Sequence, residues 1–231
     1  MQGIQPSYLI LVGDPGLNNT PSGRDHNLGD LLNLAAQQKA IDLNQQGLGN
    51  WVVACRVSSI QDFNAALTEV ASGEFFPGQI TGGVFYFGHA AIQYDVVGNV
   101  VIGEHSILAP GQGTGQDTNI GDFNVATLQN TQLGAKATIT LNGCNAGLET
   151  PGHRLPIAKL LALQLQRTVF AYDVGVYFSH QDADRDTHFN GMDDLSNGNQ
   201  AERTVTWGLP MYAVPEGPPG QKPRPKQFLA H

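Results

Sequence analysis

Apolar positions in this chain follow two rhythms that alternate along its first half. Tyr8–Val12 (YLILV) is a continuous apolar run of strand length, the mark of a strand covered on both faces. The turn-forming stretch GDPGLNNTPSGRD follows it. Asn27 then reads as an N-cap with Asp30 three positions on. Leu28, Leu31, Leu32 and Ala35 form one helical stripe, and Gly47 is the C-terminal stop. Trp51–Val57 predicts a second buried strand. Ser59 with Asp62 repeats the capping signal, Phe63, Ala66, Leu67 and Val70 repeat the stripe, and Gly73 closes it. Val84–Phe87 is the third strand and leads into His89. This β-α-β-α-β order predicts an α/β fold with a mainly parallel sheet and right-handed crossovers.

From Ala91 to Ala135 the rhythm breaks. Asp95–Ile102 (DVVGNVVI) predicts a β-hairpin turning at Gly98-Asn99. Gly111–Asp122 is rich in Gly, Gln, Thr and Asn and reads as a long surface loop, a site for self-cleavage on exposure alone. Phe123–Leu133 reads as a short helix or an irregular segment. Alternation resumes with Ala137–Leu141 as a strand. Pro156 stands at a helix N1 position, Ile157, Leu160, Leu161 and Leu165 supply a buried face, and Thr168–Tyr172 is a further strand. With no internal repeat and no composition break, residues 1–214 read as one domain and 215–231 as a Pro/Gly-rich tail.

Composition narrows the function classes. The 231 residues are 41% hydrophobic and carry a formal charge of −8, which argues against a nucleic-acid partner. The basic cluster Lys222–Lys226 lies in the Pro-rich tail and reads as solvated. No run approaches the roughly 20 apolar residues of a membrane span. The N-terminus has neither a basic segment nor a long apolar one, so no signal peptide is expected. The expected setting is the cytoplasm, or delivery as part of a larger secreted effector. Two cysteines make no disulfide framework. Cys55, inside WVVACRV, reads as a core thiol; Cys144, in a Gly/Asn turn, reads as a functional one.

Thr138–Gly147 and Gly83–Ala90 share one design, a short β run closed by small residues with one reactive side chain at its end. Ligands of open parallel sheets bind at the carboxyl ends of the strands, so His89 and Cys144 would meet there. Cysteine catalysis needs an ionisable thiol, a proton donor for the leaving amine and N–H donors for the oxyanion. Cys144 supplies the first and His89 the second. Gly88, Ala90, Gly143 and Asn145 leave room for a substrate backbone. The competing reading is packing, since buried cysteines and strand-terminal histidines are common in cores.

Strand–Gly-His followed later by strand–x-x-Cys-x-x-Gly resembles the caspase-type (clan CD) cysteine peptidases, which include caspases, gingipains, clostripain and bacterial CHAT domains. LNGCNAG is similar to the CHAT form of the nucleophile motif. VFYFGHA departs from the usual wording, because Gly88 precedes the His and Ala90 follows it; Ala90 still offers the N–H that the family uses in its oxyanion hole. The resemblance covers about Ser7–Tyr172. It implies a caspase/haemoglobinase-like three-layer sandwich and an endopeptidase that needs no cofactor. Protein or peptide substrates would be cleaved through a Cys144 thioester, with His89, on the adjacent strand, as leaving-group acid. A weaker resemblance links the chain to Rhs and polymorphic-toxin C-terminal effector domains. The alternative is a non-catalytic interaction module on the same fold.

In caspases an Arg after the first strand reads an acidic residue at the cleaved position. Arg24 would do so here, whereas Asp14, Asp25 or Asp173 would favour a basic one; each also fits a solvated turn. A second constellation, Asp182, Asp184, Asp186, the His188 carbonyl, Asn190 and Asp193, follows the spacing of a calcium loop. Thr187 replaces the usual Gly, Asp193 the usual Glu, and no helix pair flanks it, so a solvated acidic loop is the alternative to bound Ca²⁺. Zinc is not expected, since no paired Cys or His spacing accompanies Cys144.

Overall fold

In the computed structural model, residues 6–14, 28–46, 50–69, 78–111, 115–150, 154–179, 212–215 and 223–231 are described. The unbroken apolar run of the first strand, β1 (Ser7–Gly13), has its reason in its position. It lies inside a six-stranded sheet with helices on both faces, and Leu9, Ile10 and Leu11 are fully buried. Alternate residues serve opposite sides. Ile10 and Val12 join Leu32, Ala35 and Leu43 of α1 (Leu28–Gln46) and Phe87 of β3 (Gly83–Phe87). Leu9 and Leu11 join Phe63 and Leu67 of α2 (Ile60–Thr68) and Leu161 and Leu165 of α3 (Ile157–Leu165).

The sheet runs β10-β7-β6-β3-β1-β2, where β2 is Trp51–Val57, β6 Thr138–Asn142, β7 Thr168–Ala171 and β10 Lys226–Phe228. Every pairing is parallel except that of β10 with β7. The architecture is therefore α/β with a mainly parallel central sheet. Among the described residues, no helix is long and apolar enough to cross a membrane.

The α2 cap differs in detail from the box read in the sequence. Ser59 Oγ accepts from the Asp62 N–H at 3.1 Å, but the Asp62 carboxylate reaches back to Ser58, accepting from its N–H at 2.9 Å and its hydroxyl at 2.6 Å. These bonds, the Ser58 hydroxyl foremost, hold the Asp62 carboxyl below its usual range. α2 ends at Thr68; Val70 and Gly73, expected at its close, lie outside the described residues.

Several expectations change. Among the described residues β2 is an edge strand paired only with β1; Trp51 is 46% exposed and Cys55 is half-buried against the core instead of inside it. Pro156 is the N-cap residue of α3 and not its first helical residue, and Leu160 is only partly buried. The hairpin is far longer than its tip suggested. It comprises β4 (His89–Val97) and β5 (Val100–Ala109), a separate two-stranded sheet that starts at His89 itself. The stretch read as a surface loop is partly core: Asn119 and Ile120 are buried, and Ile120 exchanges backbone hydrogen bonds with Leu108 at 2.8 and 2.9 Å. Phe123–Leu133 is irregular apart from a single 3₁₀ turn, Val125–Thr127. A second small sheet pairs β8 (Val176–Ser179) with β9 (Tyr212–Pro215). Within the Pro/Gly-rich tail, β10 closes the sheet and buries Phe228.

Candidate active site

Register sets the geometry of the site. Val12 of β1 pairs with Phe87 of β3, and Phe87 pairs with Asn142 of β6. Two residues beyond these paired positions the three chains reach Asp14, His89 and Cys144. The three therefore follow the carboxyl ends of adjacent strands, with neighbouring strands about 4.8 Å apart. Glycines bring the chain ends together. A Cβ on Gly13 would stand 3.3 Å from Gly88 Cα and 3.2 Å from the Pro110 carbonyl. One on Gly143 would stand 2.9 Å from the Gly88 carbonyl, 3.1 Å from Ala90 Cβ and 3.3 Å from Ala90 N. Residues flanking Cys144 thus lie against residues flanking His89.

His89 is exposed and opens β4. Its carbonyl accepts a 3.0 Å hydrogen bond from the hydroxyl of Tyr86, which is fully buried. Burial pushes the pKa of the Tyr86 phenol up, which favours the protonated, donating form. Gly88 makes room for this bond, because a Cβ there would run into the Tyr86 hydroxyl.

Cys144 is half-buried, and its Sγ lies 3.2 Å from both the N–H and the carbonyl of Val176, at the start of β8. As a thiol it donates to the carbonyl; as a thiolate it accepts from the N–H. The next residue, Asn145, takes a left-handed backbone (φ 58°), which asparagine tolerates better than most residues. Its N–H donates to the Val174 carbonyl at 2.9 Å and that of Gly147 to the Tyr172 carbonyl at 2.8 Å, so the segment after β7 holds the turn that carries Cys144.

The remaining candidates fare differently. The Asp14 N–H donates to the carbonyls of Val57 (3.0 Å) and Pro110 (2.7 Å), tying the end of β1 to β2 and to the hairpin's return. Asp173 is ion-paired with Lys226 at 2.8 Å. Arg24 and Asp25, and the calcium-loop residues Asp182, Asp184, Asp186, His188, Asn190 and Asp193, lie outside the described residues. Among the described residues, no group of three or more His, Cys, Asp or Glu is arranged to hold a metal ion. Burial raises the Cys55 thiol's pKa, leaving it less reactive than an exposed thiol.

Sequence reasoning missed one polar cluster. Arg154 pairs with Asp95 (2.8 Å) and Asp122 (3.1 Å) and donates to His105 Nδ1 (3.2 Å), fastening the hairpin stem to the approach to α3. Accepting at Nδ1 leaves the proton of a neutral His105 on Nε2. Its four members are dispersed in sequence, and no spacing announces them. Comparison with protein-family models, with curated proteins and with solved structures found no match to this chain.

Proposed function

We propose that this chain is a cysteine endopeptidase on a caspase-like fold, with Cys144 as nucleophile and His89 as general acid. The observation that carries the reading is that two hydrogen-bonded strands, paired at Phe87 and Asn142, lead two residues later into His89 and Cys144, with Gly143 packed on Gly88 and Ala90. In the first step the Cys144 thiolate adds to the scissile carbonyl carbon. The C–N bond then breaks, and the leaving amine takes a proton from the His89 imidazolium. Water next attacks the thioester, releasing the carboxylic acid and the thiol. The Val176 N–H supports the thiolate, and its carbonyl loses its bond to sulfur as the proton leaves. Asp14 follows the end of β1, the neighbour of β3 in the sheet, so substrates with Lys or Arg at the cleaved position are the first to test.

Wild type and Cys144→Ala are compared on a denatured proteome by mass spectrometry of new termini. Cleavage by the wild type alone is expected; identical patterns, or no cleavage by either, remove the peptidase reading. The steps draw on no metal, so calcium chelation is expected to leave cleavage intact. Loss of cleavage in the chelator would instead make Asp182–Asp193 a regulatory calcium loop. One feature favours a second reading, a non-catalytic interaction module: the Cys144 sulfur is engaged by both polar groups of Val176. A Cys144 inert to iodoacetamide at neutral pH would decide for it.

A further inference from the structure

Along β4, His89, Ala91, Gln93 and Asp95 share one face of the ribbon. Gln93 lies directly opposite His105 of β5, so their side chains stand next to each other on that face. With Asp95, Asp122, Phe123 and Arg154 they line a cavity of about 430 Å³, within the size range of small-ligand sites. Two polar atoms of its wall are unmet. His105 is only 5% exposed, and its Nε2 has no hydrogen-bond partner among the described residues. Neither has Oε1 of Gln93. Because His105 Nδ1 accepts from Arg154, the Nε2 of the neutral imidazole carries the proton. The wall thus holds one free N–H donor beside one free acceptor. Buried polar groups without partners are destabilising, and native folds rarely keep two as neighbours.

We propose that this cavity binds a primary carboxamide, whose C=O accepts from His105 Nε2–H while its NH₂ donates to Gln93 Oε1. Charge and atom matching select that class. Two carboxylates, Asp95 and Asp122, surround one guanidinium, Arg154, in a chain that carries −8 overall. A carboxylate or phosphate ligand is therefore repelled. A guanidinium or ammonium suits the charge but has no acceptor, and would set its own N–H against that of His105. The carboxamide is neutral and offers acceptor and donor in one plane. The Phe123 ring, 36% exposed, gives the group that carries the amide an apolar surface to rest on. A glutamine or asparagine side chain and a free small amide present the same chemistry. Gln93 stands four residues along β4 from His89, on the order of 13 Å of extended strand. The cavity is thus separate from the Cys144–His89 edge, and its ligand is independent of the peptidase reading.

Three planar probes of one shape separate the classes: benzamide, benzamidinium and benzoate. The full chain is titrated with each, following the melting temperature and the ring-nitrogen resonances of its histidines. Benzamide is expected to raise the melting temperature and to move the His105 Nε2 resonance. The two charged probes are expected to bind at least about tenfold more weakly, the cost of one mismatched hydrogen bond. Gln93→Leu, which removes the acceptor at similar volume, is expected to weaken benzamide by a similar factor and to leave iodoacetamide labelling of Cys144 unchanged. Stabilisation by none of the three, which would leave the cavity to water, overturns the proposal. So does a charged probe that binds as tightly as the amide, or benzamide binding indifferent to Gln93→Leu. Should the variant misfold, the unmodified chain decides, since a His105 Nε2 resonance that stays in place under benzamide refutes the site. Displacement of benzamide by a capped Gly-Gln-Gly peptide assigns the ligand to a polypeptide side chain; a peptide that does not displace it assigns a free small amide.

Discussion

Tyr86 and Gly88 together set where the His89 backbone stands, and neither is needed for the strand to form. Phenylalanine would fill the Tyr86 site equally well; the hydroxyl is there for the His89 carbonyl. Tyr86→Phe is therefore expected to lower stability by about 1 kcal/mol, the net worth of one buried hydrogen bond, in a denaturant titration. Gly88→Ala drives a methyl into that hydroxyl and is expected to cost about 1–3 kcal/mol through overpacking. Asp62 provides the pH-dependent counterpart. Its carboxyl is depressed in the folded chain by the bonds to Ser58. Its contribution is thus present above the unfolded carboxyl pKa and is lost as pH falls through the folded value. Asp62→Asn is expected to lower the melting temperature at neutral pH and to make no difference in strong acid. A constant difference across that range would refute the assignment.

At the scale of elements, the Cys144–Gly147 turn depends on what packs behind it. Phe228 of β10 lies against Gly147, where an added Cβ would stand 3.1 Å from the ring. Phe228→Ala is expected to cost about 3 kcal/mol of stability. It should also speed iodoacetamide labelling of Cys144, because the Cys144–Gly147 turn loses its backing; an unchanged labelling rate would uncouple the two. This partnership was hidden in the sequence, where Lys226–Phe228 is a three-residue strand among prolines. Elements marked by a continuous apolar run or a helical stripe were legible: β1, α1, β2, α2, β3, β6, α3 and β7 all appear near their expected positions. The hairpin stem was not, because two of its four buried residues at 105–108, His105 and Ser106, are polar and break the apolar run that marks a buried strand. β2 misled in the opposite direction, its apolar run occupying an edge with Trp51 partly in solvent.

The site shows the same division across the whole molecule. His89 and Cys144 could be picked out by residue type and by the small residues around them. Strand order also put them at one carboxyl edge; the register could not be read, since it depends on pairings between Phe87 and positions far away in the chain, Val12 and Asn142. Those long-range pairings also have a consequence in time. As the chain leaves the ribosome, β1, β2 and β3 can assemble from the N-terminal stretch alone. β3 (GVFYF) must then wait, one edge unpaired, through the whole hairpin and the loop beyond it, until Thr138–Asn142 is made. An apolar strand edge in that state is an aggregation template. Chains truncated before Ala137 are expected to pellet on sedimentation where the complete chain stays dispersed. The arrival of β6 thus does two things in one event: it brings Cys144 to the sheet edge where β3 already ends before His89, and it ends the nascent chain's most adhesive interval.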